Sequence, residues 1–293
     1  MESKTLSRSR ERSVAKRPGE GSNGVAGIAR IDETFADLRR RGRKALIVYV
    51  MAGDPDPGFT LRLVPALPEA GADLIELGYP FSDPVADGPA IQAAGQRALR
   101  HFPAMGALFD LVRKIRARTA APLIAMTYYN PVFRHGEAAF VRDGLAAGLD
   151  GAILPDLPMV ESAPWRAACL SQGFAPVALE APNTPPDVAQ QIAETGRGFV
   201  YLVSLKGVTG QEHGLGENLK ERVARLRQWT RTPLVVGFGI STPELARRFG
   251  ALCDGVAVGS GVVSRIAQAR SSDAAEAAVL DYVRAMREAL DQG

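Results

Sequence analysis

The chain has 293 residues, 46% hydrophobic and 23% charged, an ordinary globular composition that excludes a fibrous or low-complexity polymer. Its formal net charge of +3 is small and gathered at the start, where Lys4, Arg8, Arg10, Arg12, Lys16, Arg17 and Arg30 stand against Glu2, Glu11 and Glu20. The body is near neutral and has no basic face with interleaved aromatics, so nucleic-acid binding is not expected. No run of about 18 apolar residues exists to span a membrane, and Cys169 and Cys253 alone make neither a disulfide framework nor a metal motif.

In chain order, residues 1–29 are polar, rich in Ser and Gly and without apolar periodicity, and are expected to form a disordered basic extension. The three glutamates weigh against a transit peptide, and there is no apolar core of a secretory signal. Residues 30–290 are expected to form one catalytic domain. It begins with IDETFADLRRRG (31–42), a helix capping the bottom of the domain.

Eight short apolar runs come next: ALIVYV (45–50), DLIELG (73–78), PLIAMTY (122–128), GAILP (151–155), APVALE (175–180), GFVYLVS (198–204), PLVVGFG (233–239) and GVAVGS (255–260). Between them lie segments with helical spacing, such as TLRLVPALPEAG, MGALFDLVRKIRART, EAAFVRDGLAAG and ENLKERVARLRQWT, several ending at Gly or Pro. Strands that are apolar on both sides and alternate with helices predict a (β/α)₈ TIM barrel. A dinucleotide fold would need G-x-G-x-x-G after the first strand, where the chain instead reads MAGDPDPG.

In a barrel of this kind the strand ends and the loops after them face the active site. Strand two carries Glu76 inside an apolar run, followed by Asp83 and Asp87 in a Pro/Gly loop. An unpaired buried charge is costly, so the position needs a reason. Two placements are open: inward at the top of the barrel, as a catalytic group, or outward beneath a helix and paired with an arginine. Strands seven and eight end in GFGIS (237–241) and VGSGVV (258–263), each opening a helix, which reads as a phosphate cradle built of backbone amides rather than of Lys or Arg. KGVTGQEHGLGEN (206–218) is long and Gly-rich, a candidate lid. His101, His135 and His213 have no metal-ligand spacing, no G-x-S-x-G elbow occurs, and Lys206 beside Gly207 reads as a solvated loop residue.

With AGDPDP (52–57), LIELGYPFSDPVADGPAIQAA (74–94), MTYYNPV (126–132), LPDLPMVES (154–162), GVTG (207–210), GFGIS and VGSGVV in this order, the chain resembles the tryptophan synthase alpha subunit family from about Ile31 to the last helix. The resemblance implies a barrel lyase that cleaves indole-3-glycerol phosphate to indole and glyceraldehyde 3-phosphate. It implies a cytoplasmic alpha2beta2 complex, with no cofactor in this chain and pyridoxal phosphate only in a beta subunit that receives the indole. Glu76 and Asp87 fall on the family's catalytic pair. Tyr49, Tyr128 and Tyr201 match the indole pocket, and Gly210, Gly237, Phe238, Gly239, Gly259 and Ser260 the phosphate site. Thr209 matches the lid threonine, and Asp83 and Pro84 the loop that signals to the partner. Val48 and Met51 depart from the family's usual Pro and Thr, and Leu205 stands where some relatives have Arg. Alternatives carried alongside are a stand-alone lyase releasing indole and a barrel retained mainly as a beta-subunit partner.

Overall fold

The computed structural model describes residues 27–102, 104–203, 212–237 and 239–293, with the side chains of 212–217 left undescribed. Eight parallel strands close into a barrel in chain order: β1 (Ala45–Met51), β2 (Leu74–Gly78), β3 (Leu123–Met126), β4 (Gly151–Ile153), β5 (Ala175–Glu180), β6 (Val200–Val203), β7 (Leu234–Gly237) and β8 (Gly255–Val258). The ring closes where Ala45, Leu46, Ile47 and Val48 register with Gly255, Val256, Ala257 and Val258.

Alternation along each strand divides the core into two clusters. Ala45, Ile47, Tyr49 and Met51 fill the barrel interior with Leu74, Ile124, Val177 and Val235, while Leu46, Val48 and Val50 face outward under the helices with Ile75 and Leu77. Apolar residues on both faces are what a parallel strand covered by helices requires.

Among the described residues the helices are α1 (Ile28–Arg40), α2 (Pro57–Ala66), α3 (Pro89–Leu99), α4 (Met105–Arg116), α5 (Tyr129–His135), α6 (Glu137–Ala147), α7 (Ala163–Leu170), α8 (Pro186–Thr195), α9 (Glu212–Leu226), α10 (Pro243–Gly250), α11 (Ser260–Gln268) and α12 (Ser272–Asp291). Side-chain caps fix several starts: Asp56 accepts from the Phe59 amide at 2.9 Å, Thr242 from Leu245 at 3.3 Å and Ser271 from Ala274 at 3.2 Å.

Helix α1 begins at Ile28, two residues before the expected domain start, and plugs the bottom of the barrel with Ile31, Phe35 and Leu38. The fully buried Asp150 secures it. Its carboxylate accepts from the Gly27 amide at 2.9 Å, Arg30 at 2.6 Å, Arg116 at 2.8 Å and the Leu123 amide at 2.9 Å. Several strands are shorter than their apolar runs. β8 ends at Val258, so that Ser260 starts α11, and β6 begins only after Gly198, whose φ of 74° turns the chain. The predicted segment at 60–71 starts earlier, at Pro57, and its helix ends at Ala66, close to Pro68.

Candidate active site

Register places Tyr49 beside Glu76 on adjacent strands. Leu74 faces the interior and Ile75 and Leu77 face the helices, so Glu76 points into the barrel, resolving the two open placements in favour of the inward one. It is 1% exposed, and its Oε1 has no hydrogen-bond partner. Burial without a counter-charge pushes the carboxyl up to about 8, so it is largely protonated at neutral pH.

The outward arrangement is present elsewhere in the barrel. Glu180, at the end of β5, is fully buried between barrel and α9, where Arg222 donates to its carboxylate through Nε at 2.9 Å and Arg225 at 3.3 Å. Arg222 also donates to the carbonyls of Val203 at 3.0 Å and Glu180 at 2.9 Å. Two strand-end glutamates thus differ in the face of the strand they occupy and in what meets them there, and the sequence motifs mark Glu76 while passing over Glu180. The signal for Glu180 is the arginine pair in ERVARL (221–226), spaced to reach one point beneath the helix.

Asp87 closes the loop between β2 and α3. Its amide donates to Pro84 O at 3.1 Å, and Gln92 donates to its carbonyl at 2.9 Å, so the loop is laced to the helix it precedes. The Tyr128 hydroxyl accepts from the Ala86 amide at 3.0 Å and hydrogen-bonds the Asp87 carboxylate. Partial burial raises Asp87 to about 6, the tyrosine opposing the shift, so Asp87 is ionised at neutral pH while Glu76 is not. Phe81 stacks on Tyr128 at 5.2 Å between centroids.

Both carboxyls face one cavity of about 220 Å³. Tyr49, Tyr201 and Met126 form part of its wall, Gly239, Gly259 and Ser260 another part, and no Lys or Arg is among its described lining residues. Tyr49 and Tyr201 are buried beside Glu76, and burial holds both hydroxyls well above the ordinary tyrosine range, so they remain protonated. Each ring lies over a glycine of the next strand. A Cβ at Gly78 would stand 2.1 Å from the Tyr49 hydroxyl, and one at Gly237 2.0 Å from that of Tyr201. Gly237, expected at the phosphate, is therefore occupied in making room for Tyr201. Gly239 has φ 91°, a left-handed geometry that disfavours any side chain.

Tyr128 meets the site through Ala86 and Asp87, and Asp83 and Pro84 lie on the same loop. Thr209, Gly210 and Phe238, with Leu205 and Lys206, lie outside the described residues. Sequence reasoning missed Met126 and Ile91 as apolar wall; the inward register of Ile124 carried the signal for Met126. Val48 faces outward beneath the helices, and Met51 packs inward with its sulfur 3.9 Å from the Tyr49 hydroxyl. Neither departure displaces a carboxyl. A larger cavity of about 690 Å³ opens alongside, between the loops after β4 and β5, but its acid, Asp156, is engaged by the Tyr129 amide at 2.8 Å. Glu76 and Asp87 line the smaller one.

The profile of the tryptophan synthase alpha chain family matches residues 35–291. The tryptophan synthase alpha chain of Geobacter sulfurreducens is 42% identical over 263 residues, covering 90% of this chain and 99% of the relative. That of Methylococcus capsulatus is 43% identical over 266 residues, covering 90% and 100%. The crystal structure of the Legionella pneumophila alpha subunit superposes with a TM-score of 0.82 at 35% identity, covering 90% and 99%. A chain of the aminoacrylate-bound tryptophan synthase of M. tuberculosis gives 0.79 at 32%, covering 89% and 99%. On sequence, fold and extent of coverage, the chain belongs to the tryptophan synthase alpha chain family.

Proposed function

We propose that the cavity cleaves indole-3-glycerol phosphate by a retro-aldol reaction, with Glu76 and Asp87 as its catalytic residues. The observation that carries this is the unpartnered, buried Glu76, protonated at neutral pH and sharing a small apolar cavity with the ionised Asp87. Glu76 donates its proton to the indole C3. The ring nitrogen becomes electron-poor, and the Asp87 carboxylate at its N–H stabilises that charge. The carbon–carbon bond then breaks, its electrons return to the ring, and the adjacent glycerol hydroxyl gives its proton to the Glu76 carboxylate as the aldehyde forms. Glu76 ends as it began, and no net proton is consumed.

The phosphate lies against Gly239, Gly259 and the start of α11, held by backbone amides and the Ser260 hydroxyl. Tyr49, Tyr201 and Met126 flank the indole. The chain is a lyase of tryptophan biosynthesis, of a family that works with a beta subunit. Exposed apolar side chains on the catalytic rim support docking there: Val85 is 83% exposed, Phe133 64% and Val160 67%, in the segments after β2, β3 and β4. Asp83 and Pro84 stand beside Val85 in that rim. The partner carries pyridoxal phosphate and takes the indole, in an alpha2beta2 assembly in the cytoplasm, and this chain needs no cofactor of its own. Among the described residues no helix is long and apolar enough to cross a membrane, and no acid, His or Cys cluster could hold a metal. Incubating the purified chain with indole-3-glycerol phosphate, with and without a beta subunit, tests the reading. Indole should form in both, faster in the complex, and its absence from both would refute it.

A further inference from the structure

The proposed function leaves the phosphate to two backbone loops, the β7–α10 connection and the turn opening α11, and the role assigned below to Tyr282 rests on that reading. With no cation among the described lining residues, such a cradle works only if the two loops are held at a fixed separation, because amide hydrogen bonds fall off steeply with distance and angle. Tyr282, in the middle of the C-terminal helix α12, touches both loops.

Its hydroxyl donates to the Ser241 carbonyl oxygen at 3.3 Å, on the first loop. The same hydroxyl lies 2.4 Å from where a Cβ would stand on Gly261, in the first turn of α11, and the ring Cζ lies 2.7 Å from that point. Arg265 covers the ring at 3.9 Å from its centroid and donates to the Gly261 carbonyl at 2.9 Å, closing the contact from the other side. The ring is 5% exposed. Burial raises the hydroxyl to about 12, so it remains a donor across the working pH range. Helix α12 is itself fixed to the barrel floor, where Arg287 donates to Lys44 O at 2.9 Å and Asp73 at 3.1 Å.

We propose that Tyr282 is a positioning residue for the substrate phosphate, a wedge seated on α12 that holds Ser241 and Gly261, and with them the two cradle loops, at the spacing the anion needs. It touches no substrate atom. Its effect falls on phosphate affinity and leaves the proton transfers at Glu76 alone.

Tyr282→Phe removes one oxygen and keeps the ring and its contact with Arg265, so the variant should fold, with a thermal midpoint near that of the parent. Loss of the bridge to Ser241 should raise the inhibition constant of inorganic phosphate and the KM for indole-3-glycerol phosphate together by about three- to tenfold, with kcat within about twofold of the parent. A residue that only stabilised the fold would not split KM from kcat in this way. Parent-like phosphate inhibition and KM in the variant would overturn the proposal while leaving the cradle standing, as would a fall in kcat with phosphate affinity unchanged. If the parent itself is not inhibited by phosphate, the cradle reading fails and this inference fails with it.

Discussion

Replacing Glu76 by Gln should make the protein more stable as well as much slower, and the gain in stability should depend on pH. Burial raises the carboxyl from 4.5 to about 8 in the folded state. The folded chain therefore holds this proton more tightly than the unfolded chain does. Stability associated with Glu76 is fully present below pH 4.5, declines as pH rises through the interval and levels off above about 8. At about 1.4 kcal/mol per pH unit, the penalty reaches roughly 3 kcal/mol at pH 7 and roughly 5 kcal/mol above pH 8, upper bounds because solvent relaxation softens them. Glutamine keeps the shape and cannot ionise, so it escapes the penalty. Urea unfolding of parent and Glu76→Gln at pH 5, 7 and 9 measures the difference directly. The two should be nearly equal at pH 5 and diverge in favour of Gln as pH rises. A difference independent of pH, or a Gln variant less stable throughout, would mean that Glu76 finds a counter-charge or water and that the reasoning from its isolation is wrong.

The two carboxyls also set a pH profile: kcat/KM should rise as Asp87 ionises near 6 and fall as Glu76 loses its proton near 8, and a flat profile across that span would contradict the assignment. Asp87→Asn should slow cleavage by about 10²-fold with little change in KM, because an amide cannot balance charge at the ring nitrogen; steady-state kinetics decide it. Arg222→Met leaves the buried Glu180 with only the longer contact to Arg225 at 3.3 Å and should destabilise the fold by up to about 3–5 kcal/mol, read from denaturant midpoints, whereas replacing Glu180 by an apolar residue in the same chain should restore much of the loss. Gly78→Ala drives a methyl against the Tyr49 hydroxyl and should lower both thermal midpoint and activity, read from thermal unfolding and steady-state kinetics.

The barrel was legible because its strands are apolar on both faces and its helices interrupt them at regular intervals, a pattern that depends only on burial. Glu76 was legible for the same reason in reverse, as a charge where that pattern forbids one. Its role was not readable from the strand alone, because Glu180 presents the same signature, and a strand-end position does not say whether an arginine waits on the covering helix. The glycines divide similarly. Gly239 and Gly259 line the cavity as the Gly-rich loops implied, but Gly78 and Gly237 are small because tyrosines on neighbouring strands lie over them, a constraint between residues far apart in sequence. Tyr282 is further still from the motifs, and its contact with Ser241 depends on how α12 closes over the barrel. Val48 and Met51 looked like departures near the chemistry, yet one faces the helices and the other packs beside Tyr49 without touching either carboxyl's position.

In the proposed reaction Glu76 carries the proton that breaks the bond. Saturating the parent and Glu76→Gln with indole-3-glycerol phosphate at neutral pH, and measuring indole and glyceraldehyde 3-phosphate in the same samples, tests it most directly. Equimolar products are expected from the parent and a rate lower by about 10²-fold or more from the variant, with substrate binding retained. A Gln variant that releases both products at close to the parent rate would contradict it.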